Sequence, residues 1–184
     1  MNAQEFFMAI VNILFRNVTL WCSLKESIVG KESDILRQYA APVIVLVQLI
    51  KFVIIGQPRA AMLSGITSFL VDSAGLYLIS GAVIALLGKD RSESFKGVVL
   101  TVICYAMTPI WLSELFSMTG VWSVLFFLVA LSHTVVVSRN GLITMLDLDA
   151  LQYRSILRNI TLLLVVVNSV AFSLLSASIR LFNI

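Results

Sequence analysis

The chain is poor in charge and poor in the side chains that do chemistry. Only 12% of its 184 residues are charged, far short of what a soluble domain of that size carries. There is one histidine, His133, and there are two cysteines, Cys22 and Cys104. A lone histidine cannot build a histidine-based metal cluster, and Cys104 on a neighbouring span is a poor single companion, so no metal site is expected. The cysteines fall in different surroundings, one in a polar segment and one mid-membrane, and imply no disulfide. No Ser/His/Asp set, phosphate loop or metal-ligand spacing is present, and neither the paired acids nor the serine–histidine pair of an intramembrane protease can be assembled. The chain therefore reads as non-enzymatic, with no cofactor. No basic stripe with interleaved aromatics lies outside the apolar runs, so the net charge of +3 gives no reason to expect nucleic acid.

What is abundant is hydrocarbon. With 59% hydrophobic residues and a mean hydropathy of +1.00, the chain reads as an all-α polytopic membrane protein of one domain, without room for a separate catalytic unit. Residues 1–39 open with Phe6, Phe7, Ile10, Val11, Leu14, Phe15 and Val18 at helical spacing around Asn12 and Arg16, which predicts an amphipathic helix on the cytoplasmic bilayer surface. No basic n-region precedes these residues and no small-residue cleavage site follows, so they do not read as a secretory signal. Lys25 to Arg37 is a mixed-charge run, read as a solvated helix face. Spans are expected at about 40–56, 60–87, 97–116, 121–137 and 160–182. In the first, Lys51 is expected to snorkel toward the nearer interface.

The third expected span holds Cys104-Tyr105-Ala106-Met107-Thr108-Pro109-Ile110-Trp111. A proline inside a membrane helix frees a carbonyl, here that of Tyr105, which Thr108 or a neighbouring span must satisfy. This helix is thus expected inside the bundle. Glu114 is expected near the outer interface, with Trp111 and Trp122 in an aromatic belt. Of the basic residues, ten lie on one side of the expected spans, and Arg59, Arg180 and a snorkelling Lys51 on the other, which predicts a cytoplasmic amino terminus and an external carboxyl terminus. Asn17-Val18-Thr19 and Asn159-Ile160-Thr161 match a glycosylation acceptor, but on the cytoplasmic side they are chance matches. Gly81 and Ala85, and likewise Ser169, Ser173 and Ala177, recur every four residues and are expected to pack helices closely, inside one bundle or between copies in a homo-oligomer.

The order of Asn17-Val18-Thr19-Leu20-Trp21, five spans, Tyr105-x-x-Thr108-Pro109-x-Trp111 in the third span and Gly141-Leu142 after the fourth resembles the Yip1 domain family over nearly the whole chain. Val18 stands where that family usually has proline. The family motif then comprises Trp21, Tyr105, Thr108, Pro109, Trp111, Gly141 and Leu142. The resemblance implies a membrane protein without known catalysis. Eukaryotic members bind lipidated Rab-type GTPases and work in vesicle traffic, whereas bacterial members have no settled activity. The chain looks bacterial, since it lacks the long polar extension of the eukaryotic members, and the inner membrane is the expected home.

Two intramembrane polar residues fall outside that pattern. Asp72, near the middle of the second span, would cost about 2.5–3.5 kcal/mol if unpaired there, so it should face other helices or water. It is either a proton or cation site or a neutral, hydrogen-bonded structural acid, and the latter is preferred because no partners are evident. His133 reads as a hydrogen-bonding contact between helices. The leading function is a scaffold presenting its cytoplasmic face to a protein partner or to membrane lipid. The alternative is a small transporter or channel using Asp72, His133, Thr108 and Lys51, and what separates the two is whether Asp72 and His133 meet in one hydrated cavity.

Overall fold

A computed structural model describes residues 3–28, 35–88, 93–149, 151 and 153–181. The described residues form helices and no strands. Five stretches are long and apolar enough to cross a membrane: Leu36–Ile55, Pro58–Leu87, Phe95–Phe116, Val121–Leu146 and Arg154–Leu181. Lys31, Lys89 and Arg91, which enter the charge bias, lie outside the described residues.

The amino-terminal segment forms two helices, α1 (Ala3–Phe15) and α2 (Asn17–Ile28). Ala9, Ile10 and Ile13 of α1 are buried, while Phe7, Met8, Val11 and Phe15 are exposed on its other side. The helix is therefore apolar on two faces, where the sequence suggested one apolar and one polar face. Phe6 packs against Tyr39 at 5.8 Å between ring centroids, and the Ile13 carbonyl meets His133, midway along the fourth span. So α1 rests on the flank of the bundle, because its inner row of apolar residues completes the core.

The first span opens with a wide π turn, Leu36–Ala40, and continues as α3 (Ala41–Ile55). It thus starts before the expected Ala40. Gly56 closes it at φ 67°, a left-handed conformation that costs glycine no Cβ clash. Pro58 then sits in the first turn of α4 (Pro58–Leu87), where its missing N–H is not needed. The 30 residues of α4 span about 45 Å at the helical rise. That exceeds the roughly 30 Å of a hydrocarbon layer, so in a membrane α4 tilts or projects.

The third span is broken. Helix α5 (Glu93–Ala106) stops at Met107, α6 (Thr108–Ser113) restarts with Pro109 in its first turn, and a 3-10 turn, Glu114–Phe116, finishes it. The Thr108 hydroxyl does not turn back to the freed carbonyl of Tyr105; it pairs with the Tyr39 hydroxyl at 2.9 Å. Beyond the break Trp111 is fully buried, whereas Trp122 is exposed, so Trp111 belongs to the core and not to an aromatic belt.

Helix α7 (Val121–Leu146) runs through Arg139-Asn140-Gly141, where the sequence suggested its end, and stops at Asp147 with φ 50°. No proline interrupts it there, and its glycine keeps helical backbone. Helix α8 (Arg154–Leu181) starts ahead of the expected Ile160. In the bundle α4 packs chiefly on α3 and α8, and α7 chiefly on α2, α5 and α6. The stripes of small residues lie elsewhere than expected: Gly81, Ala85, Ser173 and Ala177 are exposed. The buried face of α4 instead runs through Ala61, Ser64, Ser68, Asp72, Leu76 and Ile79.

Candidate functional site: a buried charge cluster

Three ionisable side chains meet inside the bundle. Lys51, Asp72 and Glu114 are only 3%, 5% and 7% exposed, and they come from α3, α4 and the turn after α6. Each helix delivers its residue for a local reason. Lys51 follows Val43, Ile44 and Val47 on the buried side of α3. Asp72 continues the small-residue face of α4, where serines leave room for polar groups. Glu114 is carried inward by the break at Met107, which also turns Trp111 into the core.

The Lys51 ammonium donates to Glu114 Oε2 at 2.9 Å and to Ser68 Oγ at 2.9 Å. The Gln48 amide donates to the same Glu114 oxygen at 3.2 Å. Lys51 turns inward to Glu114, which lies buried in the last turn of the third span. Each charge is better stabilised by the other than by a long path to water, since desolvated charges persist when paired and hydrogen-bonded. Asp72 faces the same cavity as Lys51 and Glu114.

Counted as acceptors, Asp72 Oδ2, Glu114 Oε1 and Gln48 Oε1 have no donor. These orphaned oxygens belong to one polar nest, and Asp72 and Glu114 both line a cavity of about 30 Å³ with Ser64, Ser68, Asn168 and Phe172. That volume holds about two waters. The charges do not cancel as written, because two carboxyls face one ammonium. A single proton between Asp72 and Glu114 corrects both faults at once. It neutralises the cluster, and it gives the cavity a donor for one of the orphaned acceptors. Among the described residues no three His, Cys, Asp or Glu side chains gather as metal ligands, and the adjacent ammonium disfavours a metal cation.

The other singled-out residues are elsewhere. His133 Nε2 stands 3.2 Å from the Ile13 carbonyl and does not line this cavity. Asp72 and His133 therefore do not share a cavity; Asp72 shares one with Lys51 and Glu114 instead. Of the motif residues, Trp21, Tyr105 and Gly141 form a second, aromatic knot with Tyr39. Trp21 lies edge-on to Tyr105 at 6.1 Å, and Tyr105 contacts Tyr39 at 4.4 Å. Gly141 faces them so closely that an added Cβ would stand 2.7 Å from Val102 Cγ1 and 2.8 Å from Trp21 Cζ2. Leu142, the next residue, is fully buried. Trp21 and Tyr105 are likewise buried. Tyr39, whose hydroxyl holds Thr108, was invisible in the sequence because it sits at a span start with no motif around it. The chain has no significant match among protein-family models, curated proteins or solved structures.

Proposed function

We propose that the protein is a small, non-enzymatic transport protein of the Yip1 type, amino terminus inside and carboxyl terminus outside a bacterial inner membrane, with the Lys51–Asp72–Glu114 cluster as its proton-exchange site. Asp72 does not meet His133, the pairing first expected of a transporter, but one observation carries this reading in its place: three other ionisable groups converge on a water-sized cavity with orphaned acid oxygens. Ionisable groups inside a membrane bundle are rare, face one another, and mark proton or ion paths. With the proton in place the cluster is neutral and the bundle closes around it. Without it, a net negative charge remains in the closed interior, which costs about 2.5–3.5 kcal/mol or more and favours a state that admits water. Exchange of one proton thereby biases an opening of the bundle.

The test is reconstitution in vesicles holding a pH-sensitive dye. Vesicles with the intact chain should dissipate an imposed pH gradient faster than vesicles with Asp72→Asn, and equal rates would remove the transport reading. A reporter fused after Ile184 should be silent in the cytoplasm; a cytoplasmic signal would reverse the topology.

A second reading, a scaffold that docks a protein partner, lipid or a second copy, is favoured by the unpartnered outer row of α1, Phe7, Met8, Val11 and Phe15. Polar substitution along that row should then impair function while leaving proton flux unchanged.

A further inference from the structure

A second polar site lies at the end of the bundle where α7 and α8 meet. Arg139 of α7 and Arg154 and Arg158 of α8 line a groove of about 690 Å³ together with Ser155 and Thr161. Arg154 and Arg158 are one helical turn apart and share a face. All three arginines are exposed. The ion pairs among the described residues are Lys25–Asp147 and Lys51–Glu114, so none of these guanidinium groups is neutralised by a described carboxylate. The Thr161 hydroxyl donates to the Leu157 carbonyl at 3.0 Å, which leaves the arginines as the strong donors. The first turn of α8 adds the positive end of a helix dipole.

The surroundings select the kind of anion. Arg154 and Arg158 occupy the opening turns of a helix apolar enough to cross a membrane, the level at which lipid headgroups sit. Leu157 and Leu151 line the same groove, and Leu151 is 83% exposed. A soluble anion has no use for that apolar rim, whereas an amphiphile does. We propose that this groove holds the phosphate of an anionic phospholipid, gripped by Arg139, Arg154 and Arg158. Planar guanidinium forks suit a phosphate bidentately, and basic pockets at helix ends recognise anionic headgroups.

The test uses the full chain in detergent with phosphatidylglycerol or phosphatidylcholine, and counts retained lipid by native mass spectrometry. The intact chain should prefer phosphatidylglycerol by about tenfold or more, equivalent to roughly 1.4 kcal/mol. Arg139→Gln/Arg158→Gln should bring the ratio near one, and Arg180→Gln, at the far end of α8, should leave it unchanged. Thermal melting in phosphatidylcholine establishes that the double variant is folded; if it is not, Arg158→Gln alone, at an exposed position, takes its place. An undiminished preference in the folded glutamine variant overturns the proposal. Displacement of phosphatidylglycerol by millimolar inorganic phosphate also overturns it, since the groove would then take soluble anions.

Discussion

Lys51 Nζ and Glu114 Oε2 lie 2.9 Å apart with both side chains buried, tying α3 to the segment beyond the broken helix across 63 residues of sequence. A pair of this kind is weak evidence of stability in itself, but losing one partner strands the other's charge.

Lys51→Met should therefore destabilise the bundle by roughly 3–5 kcal/mol. Lys51→Met/Glu114→Gln should recover most of that loss. Unfolding of the purified variants in mild detergent checks it, and strictly additive losses would show that the pair does not act as a unit.

Asp72→Asn keeps a donor and an acceptor at the same place without a titrating proton. Its melting temperature should stay near that of the intact chain. Infrared difference spectra should show a protonated-carboxyl band in the intact chain that fades at high pH and is missing from the variant. A band that survives the substitution would move the exchangeable proton off Asp72.

Gly141→Ala places a methyl where Val102 and Trp21 already stand, at 2.7 and 2.8 Å. Overpacking of this sort costs about 1–3 kcal/mol. Trp21→Phe in the same chain removes the ring atoms that clash and should restore part of the loss. If Gly141→Ala alone is neutral, the aromatic knot is looser than its distances indicate.

Pro109→Ala returns a backbone donor to the break and should let α5 and α6 join as one straighter helix. Glu114 would then swing away from Lys51. The cost of Lys51→Met should consequently be smaller in the Pro109→Ala background than in the intact chain. An unchanged cost would mean that the break does not position Glu114.

The spans were legible because apolar runs of membrane length need only counting, and the break at Met107 was legible because proline lacks a donor. The interior chemistry was less so. The middle of the buried face of α4 is marked by Ser64, Ser68 and Asp72, so hydrophobic periodicity points away from it there. Lys51 and Glu114 lie near span ends in sequence, and nothing short of three-dimensional packing brings them together at Asp72. The continuation of α7 past Gly141 was hidden for a related reason: Arg139-Asn140-Gly141 resembles a loop, yet the glycine is there to admit Trp21, which a linear pattern cannot disclose.

The docking of α1 and α2 onto α7 also sets an order of events during synthesis. Ile13 meets His133 at a separation of 120 residues, and Asn17 meets Asn140 at 123. At roughly 5–20 residues per second, the landing site follows the first helices out of the ribosome by about 6–24 s. Through that interval α1 has two apolar faces and only part of its seat, the contact of Phe6 with Tyr39. It must wait in lipid or in the grip of an insertion factor, and the bundle is sealed only when α7 arrives.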